Sequence, residues 1–299
     1  MNFLLTNTDE TTHMNKNFSQ LKITKLSQFS KLATAIIAAA CYSSASQAEV
    51  AVLQTDITPE STYAVASFGK ATLSQDINNG FRSQVVDTDY NVTSFDLISS
   101  GKTTGNLTPI ISMGSSIIEI EEDGEDKQHA INFKAGFLLD SGDKRHLVYA
   151  GYDVRGADYF DTYEIGAVLR ASDIENTTAG VEFEFNASFN EDADGVSGGE
   201  TYTVSSNAKI KLSPQLYLTA SVSLGYETDT EYDDGSSIET GAVVGSELGL
   251  VLQANENIQL RGAIFNSLKT QEYYDTNSVN QVSNEEILTG AGVTLTVAM

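Results

Sequence analysis

Apolar and polar residues alternate with period two along most of the chain. In VEFEFNASFN, positions 181–190, Val181, Phe183, Phe185, Ala187 and Phe189 fall on one face of an extended strand, with Glu182, Glu184, Asn186, Ser188 and Asn190 on the other. The same reading fits 129–139, where Ile131, Phe133, Ala135, Phe137 and Leu139 oppose Asn132, Lys134 and Gly136. It fits 146–155, 162–170, 202–212 and 216–227 equally well, and further strands are read near 243–253, 258–269 and 287–299. Before position 129 the alternation is weaker, but 62–73, 88–99 and 107–120 qualify. The pattern predicts about twelve strands, within a range of ten to fourteen, and no long amphipathic helix.

The joints between these strands have a rhythm. SPQ (213–215) and ANEN (254–257) are tight connections of the hairpin kind. Alternate joints are longer and more acidic: EEDGEDKQ (121–128), NEDADGVSGGE (190–200), TDTEYDDGSS (228–237) and KTQEYYDTNSVNQVSNEE (269–286). GADYFD (156–161) is shorter but still acidic. An up-and-down barrel with tight turns at one rim and longer loops at the other produces such a rhythm. An even strand number then puts both ends of the sheet at the tight-turn rim.

The start of the chain has the layout of a secretory signal. Lys22, Lys25 and Lys31 precede the apolar run LATAIIAAA (32–40), and small residues follow up to Ser46-Gln47-Ala48. We therefore expect a signal peptide over 1–48, with Met14 as an alternative start, and one mature domain over 49–299. The apolar run is too short to span a bilayer as a helix. The single cysteine, Cys41, follows three alanines and resembles a lipidation box with Ala38 in the usual leucine position. Lipid attachment at Cys41 or its removal with the signal both remain open. In the second case the mature chain has no thiol chemistry.

Charge narrows the partners. The chain carries 41 Asp plus Glu against 17 Lys plus Arg, a formal net charge of −24, so nucleic acid and bare anionic surfaces are excluded as favourable partners. Disorder is the other reading of such a charge, but 13 Tyr and 13 Phe set on alternating faces argue for packed strands.

Strands of ten to twelve alternating residues match the nine to eleven that cross a hydrocarbon layer when tilted, whereas sandwich strands are generally shorter. In a bilayer every backbone group of a sheet must be paired, which closure achieves. The last stretch, GAGVTLTVAM, keeps Ala291, Val293, Leu295, Val297 and Met299 on one face, as a closing strand would. Signal, amphipathic strands, alternating joints and terminal strand together resemble a Gram-negative outer-membrane β-barrel of the porin kind. Met299 departs from the phenylalanine with which such proteins usually end.

The resemblance implies an all-β, single antiparallel up-and-down transmembrane barrel in the bacterial outer membrane. Outer-membrane lipid, lipopolysaccharide and the barrel-assembly machinery would be its partners, and small hydrophilic solutes its cargo. Phe183, Phe185, Leu218, Val222, Leu248, Leu295 and Val297 would face lipid.

By parity the pore lining is Lys134, Arg155, Arg170, Lys209, Lys211, Arg261 and Lys269 on the basic side, with Asp153, Glu164, Glu182, Glu184, Glu227 and Glu247 on the acidic side. Glu182 and Glu184 are expected opposite Lys209 and Lys211. With the lining nearly balanced, any selectivity would come from the acidic loops as a modest cation preference.

Catalytic signals are sparse. His129 and His146 lack a serine two residues away, and no Walker loop, dinucleotide fingerprint, HExxH motif or cysteine cluster occurs. The expectation is no enzyme and no cofactor. One loop resembles a calcium site, with Asn190, Asp192 and Asp194 at the first, third and fifth places and Gly195 at the sixth. Its twelfth place holds Thr201 instead of glutamate, so weak divalent binding stands beside a plain acidic loop. The competing functions are a non-conducting structural or adhesive barrel, and a soluble secreted β-domain binding a ligand through acidic loops.

Overall fold

The computed structural model describes residues 56–78, 83–120, 127–155, 161–172, 179–190, 196–233, 235–274 and 282–299. The expected signal with Cys41, the calcium-like positions Asp192 and Asp194, and most of the 121–128 and 156–161 joints lie outside them.

The strands are β1 (Thr62–Asn78), β2 (Ser83–Ser100), β3 (Leu107–Ile120), β4 (Lys127–Ser141), β5 (Lys144–Arg155), β6 (Thr162–Ser172), β7 (Ala179–Asn190), β8 (Val196–Gly198), β9 (Thr201–Lys211), β10 (Leu216–Glu227), β11 (Thr230–Tyr232), β12 (Ser237–Asn255), β13 (Ile258–Tyr274) and β14 (Val282–Ala298). Twelve long strands pair antiparallel with their neighbours, and β10–β12 and β1–β14 pairings close them into one barrel. The seam is long: Tyr63 pairs with Ala298 and Asn78 with Ser283, and the Met299 amide donates to the Thr62 carbonyl at 2.8 Å. Closure leaves no sheet edge in the membrane, which is what lets a sheet of this composition sit in lipid.

The short strands β8 and β11 lie in the 190–200 and 228–237 joints. They pair with each other and, through β11, with β12. The 269–286 segment departs from the sequence expectation. β13 runs on to Tyr274 and β14 starts at Val282, so most of that stretch is ladder. Its polar alternation reads as a loop because neither face there is apolar, yet both strands are paired along it.

The alternating faces sort as the period demands. Phe68, Ile111, Met113, Phe133, Phe137, Ile165, Phe183, Phe185, Val222, Leu248, Ile264 and Leu295 are all exposed on the outside. So large an exposed apolar surface on a paired sheet requires lipid against it. Tyr152, Tyr163, Phe189, Tyr202 and Tyr226 face outward on neighbouring strands near the end that carries β8 and β11. Tyr152 and Tyr163 ring centroids lie 4.7 Å apart, and Phe189 meets Tyr202 edge-on at 6.2 Å. They form part of an aromatic girdle at that interface.

The wall is uneven in height. β12, β13, β14, β1 and β2 have 19, 17, 17, 17 and 18 residues, against 12, 11, 12, 11 and 12 for β5, β6, β7, β9 and β10. Roughly six extra residues on a tilted strand raise the tall side about 15 Å above the girdle. Its outer face there is polar, with Asp76, Asp87, Glu239, Glu272 and Glu285 exposed.

Candidate functional site: the barrel lumen

The inward face holds the ionisable residues, and their partners are specific. At the tight-turn end, Arg170 on β6 contacts Glu182 on β7 at 3.3 Å and Asp56 Oδ1 at 2.5 Å. Lys209 on β9 meets Asp56 Oδ2 at 3.2 Å and lies over the Tyr217 ring at 4.6 Å. Arg170, Glu182 and Lys209 are all buried. Buried charges persist only when paired and hydrogen-bonded, and here three strands and the segment before β1 converge to supply that.

Asp56 was not among the expected lining residues. The segment leading into β1 folds into the barrel end, where Ile57, 4 % exposed, packs in a cluster of Val65, Ile98, Ile110, Leu138, Leu147 and Val168. Arg145 Nη1 donates to the Ile57 carbonyl at 2.9 Å, Ser100 Oγ to the Thr58 carbonyl at 2.5 Å, and the Glu60 amide to the Gly101 carbonyl at 3.1 Å. The only signal in the sequence is that Val65, Ile98, Ile110, Leu138, Leu147 and Val168 are apolar on faces that are otherwise polar. Six such exceptions near one end of six strands call for an apolar partner.

At mid-height a second network spans β4 to β7. Tyr149, Gly166 and Asn186 lie in register on three adjacent strands. A Cβ on Gly166 would stand 2.3 Å from the Tyr149 ring, so glycine lets that ring lie across β6. The Tyr149 hydroxyl thereby reaches Glu184 at 2.8 Å and Glu164 at 3.1 Å, and accepts from Asn186 Nδ2 at 2.9 Å. Asn186 also donates to Glu164, which pairs with Lys134 at 3.0 Å. Gly114 does the same service on β3: it lies between Asp96 and Asn132, whose side chains meet over it at 3.3 Å.

Across the lumen, Arg261 pairs with Glu247, and Lys269 with Glu227 at 2.7 Å. Glu286 receives Gln75 at 2.9 Å and Asn284 at 2.8 Å, next to the buried Leu73, Tyr90, Ile238 and Leu288. Between these packed ends, β10, β12, β13, β14 and β1 present mostly small side chains inward. Ser221, Ser223, Gly225, Gly245, Ala263, Ser267, Gly292, Ser67 and Gly69 are all half-buried.

Of the residues read as lining, Lys134, Asp153, Glu164, Arg170, Glu182, Glu184, Lys209, Glu227, Glu247, Arg261 and Lys269 are buried or half-buried on the inward face. Lys211 is exposed at the last residue of β9, and Arg155 closes β5 with its side chain outside the described residues. The register corrects one expected pairing. Glu182 stands opposite Asn207 and Glu184 opposite Ser205, so Lys209 faces Gly180 instead of a glutamate. Parity assigns a face but not a register.

His129 and His146 do not converge. Leu139, not His129, pairs with His146, and ten residues of β4 separate them, about 33 Å along the strand. His146 Nδ1 accepts from the Arg170 amide at 3.1 Å. Asn190 Nδ2 donates to the Gly198 and Gly199 carbonyls at 3.2 and 2.8 Å, so it ties its loop together. Among the described residues no three His, Cys, Asp or Glu side chains are placed to hold a metal.

Closed ladder, lipid-facing girdle and polar lumen define a twelve-stranded outer-membrane β-barrel, and the bacterial outer membrane is its location. Comparison with solved structures agrees on the architecture. An outer-membrane channel from Pseudomonas putida F1 superposes with a TM-score of 0.60 at 11 % identity, over 82 % of this chain and 97 % of that one. The translocator domain of the autotransporter NalP from Neisseria meningitidis gives 0.48 at 15 % identity, over 88 % and 96 %. The KdgM porin gives 0.37 at 9 %, over 74 % and 97 %. At 11 % identity the likeness to the Pseudomonas putida channel is one of fold. No family model matches the chain, and no curated protein is similar to it in sequence.

Proposed function

We propose that the barrel is a narrow passive channel for small hydrophilic solutes or ions, with a modest cation preference. The observation that carries this reading is the contrast within the lumen. The charges from β4 to β9 are tied in specific pairs, Lys134–Glu164 and Arg170–Glu182 among them, while the opposite wall presents half-buried Gly, Ser and Ala at mid-height around the inward Phe265 and Glu247. Such a path is polar enough for hydrated solutes and offers no single-sign field to trap them. The cation preference comes from the exposed acidic groups above the girdle, including Asp229, Glu231, Asp233 and Glu239. Catalysis has no place in the reading, since the two histidines lie at opposite ends of the wall.

A non-conducting structural barrel is the second reading, favoured by the packing at both ends of the lumen. Single-channel recording in planar bilayers separates the two: discrete conductance steps support the channel, and silence across voltages and salts supports the closed barrel. Sidedness is tested by cysteines at Ser197 and Asp233, expected to label from outside intact cells. Cysteine at Asn255, in the opposite rim, is expected to stay dark; labelling there alone would invert the orientation.

A further inference from the structure

We propose that the tight-turn, periplasmic end of the lumen is a binding site for short branched aliphatic carboxylates, filled in this structure by the chain's own Asp56 and Ile57. The inference goes beyond the channel reading by adding a bound anion class at one end of the lumen, and it rests on solutes reaching the lumen.

The cradle has two adjoining parts. One is a cationic fork of Arg170 and Lys209, each taking one oxygen of the Asp56 carboxylate. Both cations are buried, 5 % and 7 % exposed, and the buried Glu182 beside Arg170 offsets only one of the two charges, so the fork still calls for an anion and binds a carboxylate by charge-assisted hydrogen bonds. The other is the apolar pocket of Val65, Ile98, Ile110, Leu138, Leu147 and Val168, which receives the β-branched Ile57 side chain. A pocket of six buried aliphatic residues in a polar lumen is spent on one side chain.

Two consecutive residues thus present the chemistry of a single small molecule: a carboxylate beside a branched hydrocarbon. Each half selects, because an alcohol leaves the second charge of the fork unmatched and acetate leaves the pocket empty. The segment that carries them is tethered to β1, so it competes at an effective concentration of order millimolar. An external carboxylate of the right shape displaces it only when abundant, or when the tethered occupant is weakened.

The test is calorimetry on the purified, detergent-solubilised protein with 4-methylpentanoate as probe. Relative to the unsubstituted chain, the Asp56→Asn/Ile57→Ser double variant is expected to bind the probe about tenfold tighter or more, because its competitor is disabled. Acetate and 4-methylpentanol are expected to bind the double variant about tenfold more weakly than the probe, and adding Lys209→Gln to remove probe binding. Heat-modifiable migration reports whether each barrel is folded. If the double variant does not fold, Ile57→Ala is titrated in its place, with a smaller tightening expected.

No tightening in the folded variant, or equal binding of the alcohol, overturns the proposal. Calorimetry does not need conduction, so a barrel that binds but passes no current keeps the site and loses the channel. A barrel that conducts without binding does the reverse.

Discussion

The two sides of the wall solve different problems. The short side, β5 to β10, ends near its aromatic girdle, and its inward face is tied by Arg170–Glu182, Lys209–Asp56 and the Tyr149 network. The tall side, β12 to β2, continues about 15 Å past the girdle, and its mid-height lining is mostly small apart from Phe265, whose ring lies over Gly290. Strength on the short side therefore comes from buried polar pairs that tolerate little change. On the tall side it comes from long ladders such as Tyr63–Ala298 to Asn78–Ser283, which spread the load over many backbone bonds. The proposed path would run along the tall side's lining, opposite the charged network.

The largest contrast is expected from charge removal. Arg170→Ala strips a partner from both Glu182 and Asp56 and is expected to cost about 3–5 kcal/mol. Asp87→Asn, exposed on the tall side, is expected to stay within about 0.5 kcal/mol. Urea unfolding followed by heat-modifiable migration measures both, and similar losses would erase the distinction between the sides.

Arginine scanning of the outer face comes next. Phe185, midway between Val181 and the girdle residue Phe189, is expected to lose about 2–4 kcal/mol on Phe185→Arg. Ile287→Arg, beside the exposed Glu285 on the tall side, is expected to lose only about 0–1 kcal/mol. Equal costs would mean that the tall side is also in hydrocarbon.

A smaller difference separates two glycines. Gly166→Ala puts a Cβ into the Tyr149 ring and is expected to cost about 1–3 kcal/mol, whereas nothing lies within 4 Å of a Cβ on Gly262. Gly262→Ala is expected to be neutral or slightly stabilising in the same assay.

The barrel was legible in the sequence because a lipid face and a water face impose strict alternation, and VEFEFNASFN displays both without interruption. The upper parts of β13 and β14 look like a loop in the sequence because water wets their outer side and the alternation has nothing apolar to show. Parity was enough to put Glu182, Glu184 and Lys209 on one face. It was not enough to pair them, since a register shift of two residues moves every partner while keeping the faces. The part played by Asp56 and Ile57 was invisible to strand patterning, because the residues that act lie outside any strand. Val168 and Leu138, apolar on a polar face, were the sequence trace of that contact.

The central claim is that the lumen conducts, and reversal potential across a potassium chloride gradient in planar bilayers tests it most directly. The expected result is discrete steps with a weak cation preference that grows as salt is lowered, since rim charges are screened beyond about 10 Å at 0.1 M. Anion selectivity, or no steps at any salt or voltage, would contradict it.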